Sequence, residues 1–184
     1  MNQTKPDTIA IFEEQKATFR MLFECLDLSK VVFVGGVADY LNLRAYYEMP
    51  VHDIDIRYTD NEDLEAVREH ISLHQHSSEF YECEQNQVLV GEYVVNQKSV
   101  HVDFFKPNFK YYGYTTSTLL GREVRHSSFQ TMKRFHNDHI AKLTSSSLGP
   151  RYKWKRLYKH SKKASLYNLV SYQEEKESKI VLHA

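Results

Sequence analysis

VVFVGGVADYLNLRAYYEMPVHDIDI, residues 31–56, decides how the rest of the chain is read. Residues 31–35 are β-branched or aromatic up to a closing glycine, the composition of a buried strand. Gly36 through Arg44 follows as a helix, with Val37, Tyr40 and Leu41 on one side, and Pro50 stops any continuation. His52–Tyr58 is the next strand. Side chains two apart on a strand share a face, so Asp53 and Asp55 project one way while Ile54 and Ile56 enter the core.

A third aspartate repeats the pattern. In SVHVDFF, residues 99–105, Val102 and Phe104 face one side and His101, Asp103 and Phe105 the other. If the two strands are neighbours, three carboxylates converge. Clustered carboxylates repel unless protonated or matched by a cation. Magnesium suits them: it takes oxygen ligands and shares its shell with substrate phosphates, and one or two ions are expected on Asp53, Asp55 and Asp103. Gly35 and Gly36 complement this. Without a Cβ the backbone admits a triphosphate closely, and the helix N-terminus offers unpaired N–H groups to phosphate oxygens.

Outward from this centre, residues 7–27 read as an amphipathic helix with Asp7 as its N-cap. A second helix is expected from Thr59 or Asp60 to about His74. Residues 79–84, 88–95 and 99–105 alternate as strands, the last two joined by a short hairpin connection through Asn96. Residues 108–118 read as an aromatic, polar loop, and LLGREVRH (119–126) as one short strand. Ser127 or Ser128 caps a helix over about 129–144. A basic helix runs from about Arg151 to Val170, with the tail extending or fraying it.

The totals fit a globular protein of one domain with a small helical appendage: 184 residues, 41% hydrophobic and 26% charged. No apolar run is long enough for a membrane span, and the polar N-terminus does not resemble a signal peptide, so cytoplasmic residence is the expectation. Cys25 and Cys83 form no metal-type cluster and no disulfide framework. His70 with His74, and His136 with His139, share helix faces, but no third ligand follows and zinc is not expected. Charge is unevenly spread. Residues 1–105 carry 8 Lys and Arg against 19 Asp and Glu; residues 106–184 carry 16 against 5. Either the two halves attract each other, or the basic half meets a polyanion.

Hydrophobic-Gly-Gly, then Asp-x-Asp on a strand, then an aspartate on a later strand, resembles the nucleotidyltransferase superfamily of DNA polymerase beta-like fold. The residues that carry the resemblance are Gly35, Gly36, Asp53, Asp55 and Asp103. The gap of 16 residues between Gly36 and Asp53 resembles the abortive-infection (AbiEii-like) branch, as does LLGREVRHSS leading into a helix that carries Ala141-Lys142-Leu143. The resemblance implies a mixed α/β (α+β) fold, a small mixed sheet flanked by helices with a C-terminal helical segment. It divides the chain into a core, 1–126, and a basic helical segment, 127–184, packing on that core. It implies transfer of a nucleoside monophosphate from a nucleoside triphosphate, ATP included, to a hydroxyl on RNA (tRNA) or on a protein. Gly35 and Gly36 would hold the triphosphate, the aspartates the magnesium, and Lys142 would neutralise phosphate charge. Some members act as toxins with a cognate protein partner. The chain departs from the pattern at Glu48–His52, where an arginine and a Ser or Thr are usual, and at Ser161-Lys162-Lys163, where an acidic residue is usual.

RYKWKRLYKHSKK, 151–163, leaves two arrangements open. Arg151, Lys155, Arg156 and Lys159 with Tyr152, Trp154 and Tyr158 would suit phosphate contact and base stacking on an RNA acceptor. Alternatively the aromatics pack inward and the lysines snorkel. Tyr111, Tyr112 and Tyr114 likewise suit base stacking or rim packing. The rival functions are a catalytically silent binding or antitoxin-like module of the same fold, which the intact aspartates oppose, and a basic nucleic-acid-binding protein with an acidic scaffold.

Overall fold

A computed structural model of the chain describes residues 11–59, 80–83, 88–95, 97–106, 109–145 and 150–181. The Asp7 cap and the helix expected over 59–74 lie almost entirely outside these residues. The chain divides into two compact units, residues 1–128 and 129–184.

Among the described residues the first unit is built on seven strands. In chain order the elements are α1 (Glu13–Cys25), β1 (Val31–Val34), α2 (Gly35–Leu43), β2 (Ile54–Tyr58), β3 (Phe80–Cys83), β4 (Val88–Val95), β5 (Lys98–Phe105), a 3-10 turn at Phe109–Tyr111, β6 (Tyr114–Leu119) and β7 (Arg122–Ser127). The sheet order is β3-β4-β5-β2-β1-β7-β6. β1 runs antiparallel to β2 and parallel to β7; β2 runs parallel to β5; the outer pairs are antiparallel hairpins. This is the mixed α/β architecture the sequence leads one to expect, consistent with a minimal nucleotidyltransferase fold.

The alternation read in β2 and β5 is what builds the core. Ile54, Ile56, Val100, Val102 and Phe104 are buried with Val31 and Phe33, and Phe19 and Leu22 of α1 join the same cluster. Phe19, Phe23 and Phe33 meet as tilted and edge-on rings with centroids 5.8 to 6.3 Å apart. α2 packs against β1, β2 and β7.

Four local expectations are corrected. α1 begins at Glu13, because Gln15 Oε1 accepts the Phe12 N–H (3.1 Å) and sets the helix start there; Ile11 and Phe12 precede it. Asp53 sits one residue ahead of β2 rather than inside it. Residues expected to be an aromatic loop instead supply β6, paired with β7 from Tyr114↔Ser127 to Leu119↔Arg122. Leu120 and Gly121, both at positive φ, make the turn between them.

The second unit is α3 (Phe129–Ser145) and α4 (Pro150–Val181), which pack on one another. α4 runs about eleven residues beyond the expected end at Val170. Met132, His136 and Leu143 of α3 and His160, Ala164, Tyr167 and Val170 of α4 are buried, with Phe129 edge-on to Tyr167 at 4.7 Å.

Candidate functional site

Gly35, Asp55 and Asp103 come together where β1 passes into α2. Gly35 has φ +52°, a left-handed conformation that suits glycine and lets the chain turn from strand directly into helix. A β-carbon built on it would stand 1.8 Å from Asp55 Oδ2 and 2.7 Å from Asp55 Cγ. The Asp55 carboxylate therefore occupies the space a side chain at 35 would need. Gly36 is under no such demand: the nearest atom to its β-carbon position is the Asp53 carbonyl oxygen, at 3.7 Å.

Asp55 and Asp103 are register partners on the parallel pair β2–β5. Adjacent strands lie about 4.8 Å apart, so two carboxylates are held side by side by the backbone itself. Asp53 is exposed, two residues before Asp55. Burial, and secondarily the charge of Asp53, push the Asp103 carboxyl above its ordinary range, against a lowering effect from His101. His101, two residues before Asp103 on β5, is the flanking histidine that matters electrostatically.

The approach to Asp53 is pinned by a buried amide. Gln15 Nε2 donates to the carbonyl oxygens of Val51 (2.5 Å) and His52 (3.0 Å). Both its donors and its acceptor are thus engaged, and the segment that sets down Asp53 is fastened to the start of α1.

Arg57 was not singled out from sequence. It lies two residues past Asp55, on the same face of β2, and is only 5% exposed. Its guanidinium Nη1 donates to the Tyr111 carbonyl oxygen. Burial lowers its pKa, with Tyr112 opposing. It ties the strand of Asp55 to the aromatic turn just beyond the strand of Asp103. The alternation Asp53-Asp55-Arg57 in DIDIRY is the signal that could have found it.

The carboxylates of Asp53, Asp55 and Asp103 are oxygen donors of the kind a hard divalent cation takes. The raised pKa of Asp103 marks a negative charge that a cation would compensate. Among the described residues no three His, Cys, Asp or Glu side chains are gathered closely enough to hold an ion as they stand, so binding one would require the aspartates to draw together.

The remaining expected residues belong to the second unit. Lys142 is exposed on α3; Lys155, Arg156 and Lys159 are exposed on α4; Arg151 falls in α4, its side chain outside the described ones. In the same unit His160 joins His136 and His139, a grouping the sequence spacing could not show. His136 Nδ1 and His160 Nδ1 are 3.0 Å apart, and His139 stacks on His160 at 4.7 Å. Burial, with His139, His136, Arg156 and Lys163 in support, pushes the His160 imidazole down to about 3. Of the two Nδ1 atoms, one carries the hydrogen and donates it to the other.

Among solved structures the chain is similar to an antigenic nucleotidyltransferase-like protein from Paracoccidioides brasiliensis, at 14% identity, with a TM-score of 0.48 and coverage of 90% of this chain and 91% of that one. It is also similar to a candidate nucleotidyltransferase from Thermotoga maritima, at 14% identity, with a TM-score of 0.43 and coverage of 88% and 95%. No family model matches the chain, and no curated protein does. Among the described residues no helix is long and apolar enough to cross a membrane.

Proposed function

We propose that the chain is a magnesium-dependent nucleotidyltransferase that moves a nucleoside monophosphate from a nucleoside triphosphate to an acceptor hydroxyl on RNA, tRNA included, or on a protein. The observation that carries this reading is the strand-to-helix turn at Gly35 set directly against Asp55, which stands abreast of Asp103 on the neighbouring strand.

Asp53, Asp55 and Asp103 would hold magnesium, one ion or two, which supplies charge neutralisation to the phosphates when bound. The backbone at Gly35 and Gly36 receives the triphosphate at the N-terminus of α2. Asp103, whose carboxyl is pushed upward chiefly by burial, takes the proton of the attacking hydroxyl. The acceptor oxygen bonds to the α-phosphorus as the bond to pyrophosphate breaks, the leaving group taking the electron pair. Lys142 keeps the role that the resemblance to the AbiEii-like branch implies, neutralising phosphate charge. Cytoplasmic residence and a cognate protein partner, as in toxin–antitoxin pairs, belong to the same reading.

The test is transfer of label. The protein is incubated with magnesium, each labelled triphosphate in turn, and total tRNA or cell lysate, beside an Asp53→Ala/Asp55→Ala control. Label moved by the wild type alone supports the reading. No transfer of any nucleotide, with triphosphate binding retained, points instead to a silent member of the fold acting as a binding or antitoxin-like module.

A further inference from the structure

The aromatic residues of the basic helix face outward. Trp154 is 66% exposed, Tyr158 72%, Leu169 51% and Tyr172 68%. At about 100° per residue these four fall within an arc of roughly 60° on one side of α4, over a length of about 27 Å. The buried residues of the helix, His160, Ala164, Tyr167 and Val170, lie on the opposite side. The strip is therefore what α4 turns away from α3. Of the two arrangements left open by sequence, inward packing of Trp154 and Tyr158 is excluded.

Lys155, Lys159 and Lys162 are exposed and follow one flank of the strip at helical spacing. The chemistry around it is one-signed. Residues 151–163 contain seven Lys and Arg, and no Asp or Glu occurs from 151 to 172. A run of aromatic faces beside a line of cations matches a single nucleic-acid strand, whose bases stack on rings while its phosphates meet lysines. Protein interfaces, by contrast, are depleted in lysine at their centres. A second copy of the chain laid on this face would bring like charges together. The polar residues Ser161, Ser165 and Asn168 interrupt the apolar surface, which disfavours burial in a lipid interface.

We infer that the exposed face of α4 is a docking strip for single-stranded RNA, with bases stacking on Trp154 and Tyr158 and phosphates held by Lys155, Lys159 and Lys162. This deepens the reading above, since the strand so held would be the acceptor, but the binding itself requires no triphosphate and no transfer.

Trp154 is the chain's only tryptophan, so its emission reports on the strip directly. The full chain is titrated, without triphosphate, with a short single-stranded oligouridylate. Saturable quenching is expected, and log affinity should fall against log salt with a slope of about −2 for three lysine contacts on a single strand. By anisotropy of labelled RNA, Trp154→Ala and Tyr158→Ala should each weaken binding about tenfold. Changing the three lysines to Gln should flatten the salt slope. All these positions are exposed, so circular dichroism should be unaltered. Absence of quenching and of RNA binding overturns the inference. So does tighter binding of a duplex of equal length, of vesicles containing phosphatidylserine, or an emission shift that depends on protein concentration alone and marks a second copy. Because transfer is scored separately, a chain that labels a protein acceptor without binding RNA refutes the strip and spares the reading above.

Discussion

The Asp55 carboxylate lies in the place a side chain at Gly35 would take, with only 1.8 Å between Oδ2 and the position of a β-carbon there. The two residues constrain each other. Position 35 must lack a β-carbon for Asp55 to keep its orientation, and the same position is held at φ +52°.

Gly35→Ala therefore meets both a steric and a backbone obstacle. Its expected cost is at least about 2 kcal/mol of stability, together with loss of nucleotidyl transfer. Gly36→Ala, whose β-carbon finds ordinary contact distance, should fold within about 1 kcal/mol of the wild type. Urea denaturation of the pair decides it. Equal behaviour of the two variants would falsify the asymmetry.

Asp103 should lend itself to a separation of stability from activity. Its folded-state pKa is raised, chiefly by burial and then by Asp53. A raised carboxyl pKa gives stability that is fully present below the ordinary carboxylate range and is lost as pH rises through the folded value. Above that value the wild type without metal carries the loss. Asp103→Asn removes the charge at nearly constant shape. It is expected to raise the urea midpoint in magnesium-free buffer at pH 7 while abolishing transfer. A lower midpoint would show that the carboxylate is stabilised by its surroundings.

The buried Arg57 guanidinium donates to the Tyr111 carbonyl oxygen. Arg57→Met keeps the stem but leaves that oxygen without its charged donor. The expected destabilisation is about 1.5–3 kcal/mol, measured by denaturant titration. An unchanged midpoint would mean that the tie contributes nothing to the fold.

His126 predicts a specific acid response. It is almost wholly buried, and burial brings its imidazole down to about 4. Ser117 Oγ sits 2.8 Å from Nε2, and Nδ1 lies 3.1 Å from the Ser127 carbonyl oxygen. The ring is thus neutral, with Nδ1–H donating and Nε2 accepting. Because the unfolded chain takes up this proton first, stability should fall as pH drops from about 6.5 towards 4, by on the order of 3 kcal/mol. His126→Gln should flatten that part of the pH–stability profile. A slope unaltered by the substitution would assign the response elsewhere.

How much of this could be read from the chain depended on whether local pattern and burial agreed. Around Gly35, Asp55 and Asp103 they did: alternation in β2 and β5 sent the isoleucines, Val102 and Phe104 inward and the aspartates to the other face. The β6–β7 hairpin was illegible for a physical reason. β6 is an exposed edge strand, Tyr-Thr-Thr-Ser-Thr-Leu, with no buried face until Leu119, and its turn places a leucine at φ +48° where Asn or Asp would have signalled it. Arg57 was not singled out because its partner is a backbone carbonyl 54 residues away. The direction of Trp154 and Tyr158 was undecidable because aromatic residues occur all round α4, and only the packing of Tyr167 and Val170 shows which side is covered. The meeting of His136 with His160 spans 24 residues and leaves no local trace.

The parallel pairing of β2 with β5 has a kinetic consequence. Asp55 and Asp103 are brought abreast by a contact between segments some fifty residues apart, a kind of pairing that forms slowly because a long loop must close first. Sliding one strand by a single residue would send Asp103 inward and Phe104 outward. A folding intermediate lacking that one ladder has every residue of the site and no site. The pairing thus acts as a checkpoint, withholding chemistry from the chain until these two separated strands have found their register.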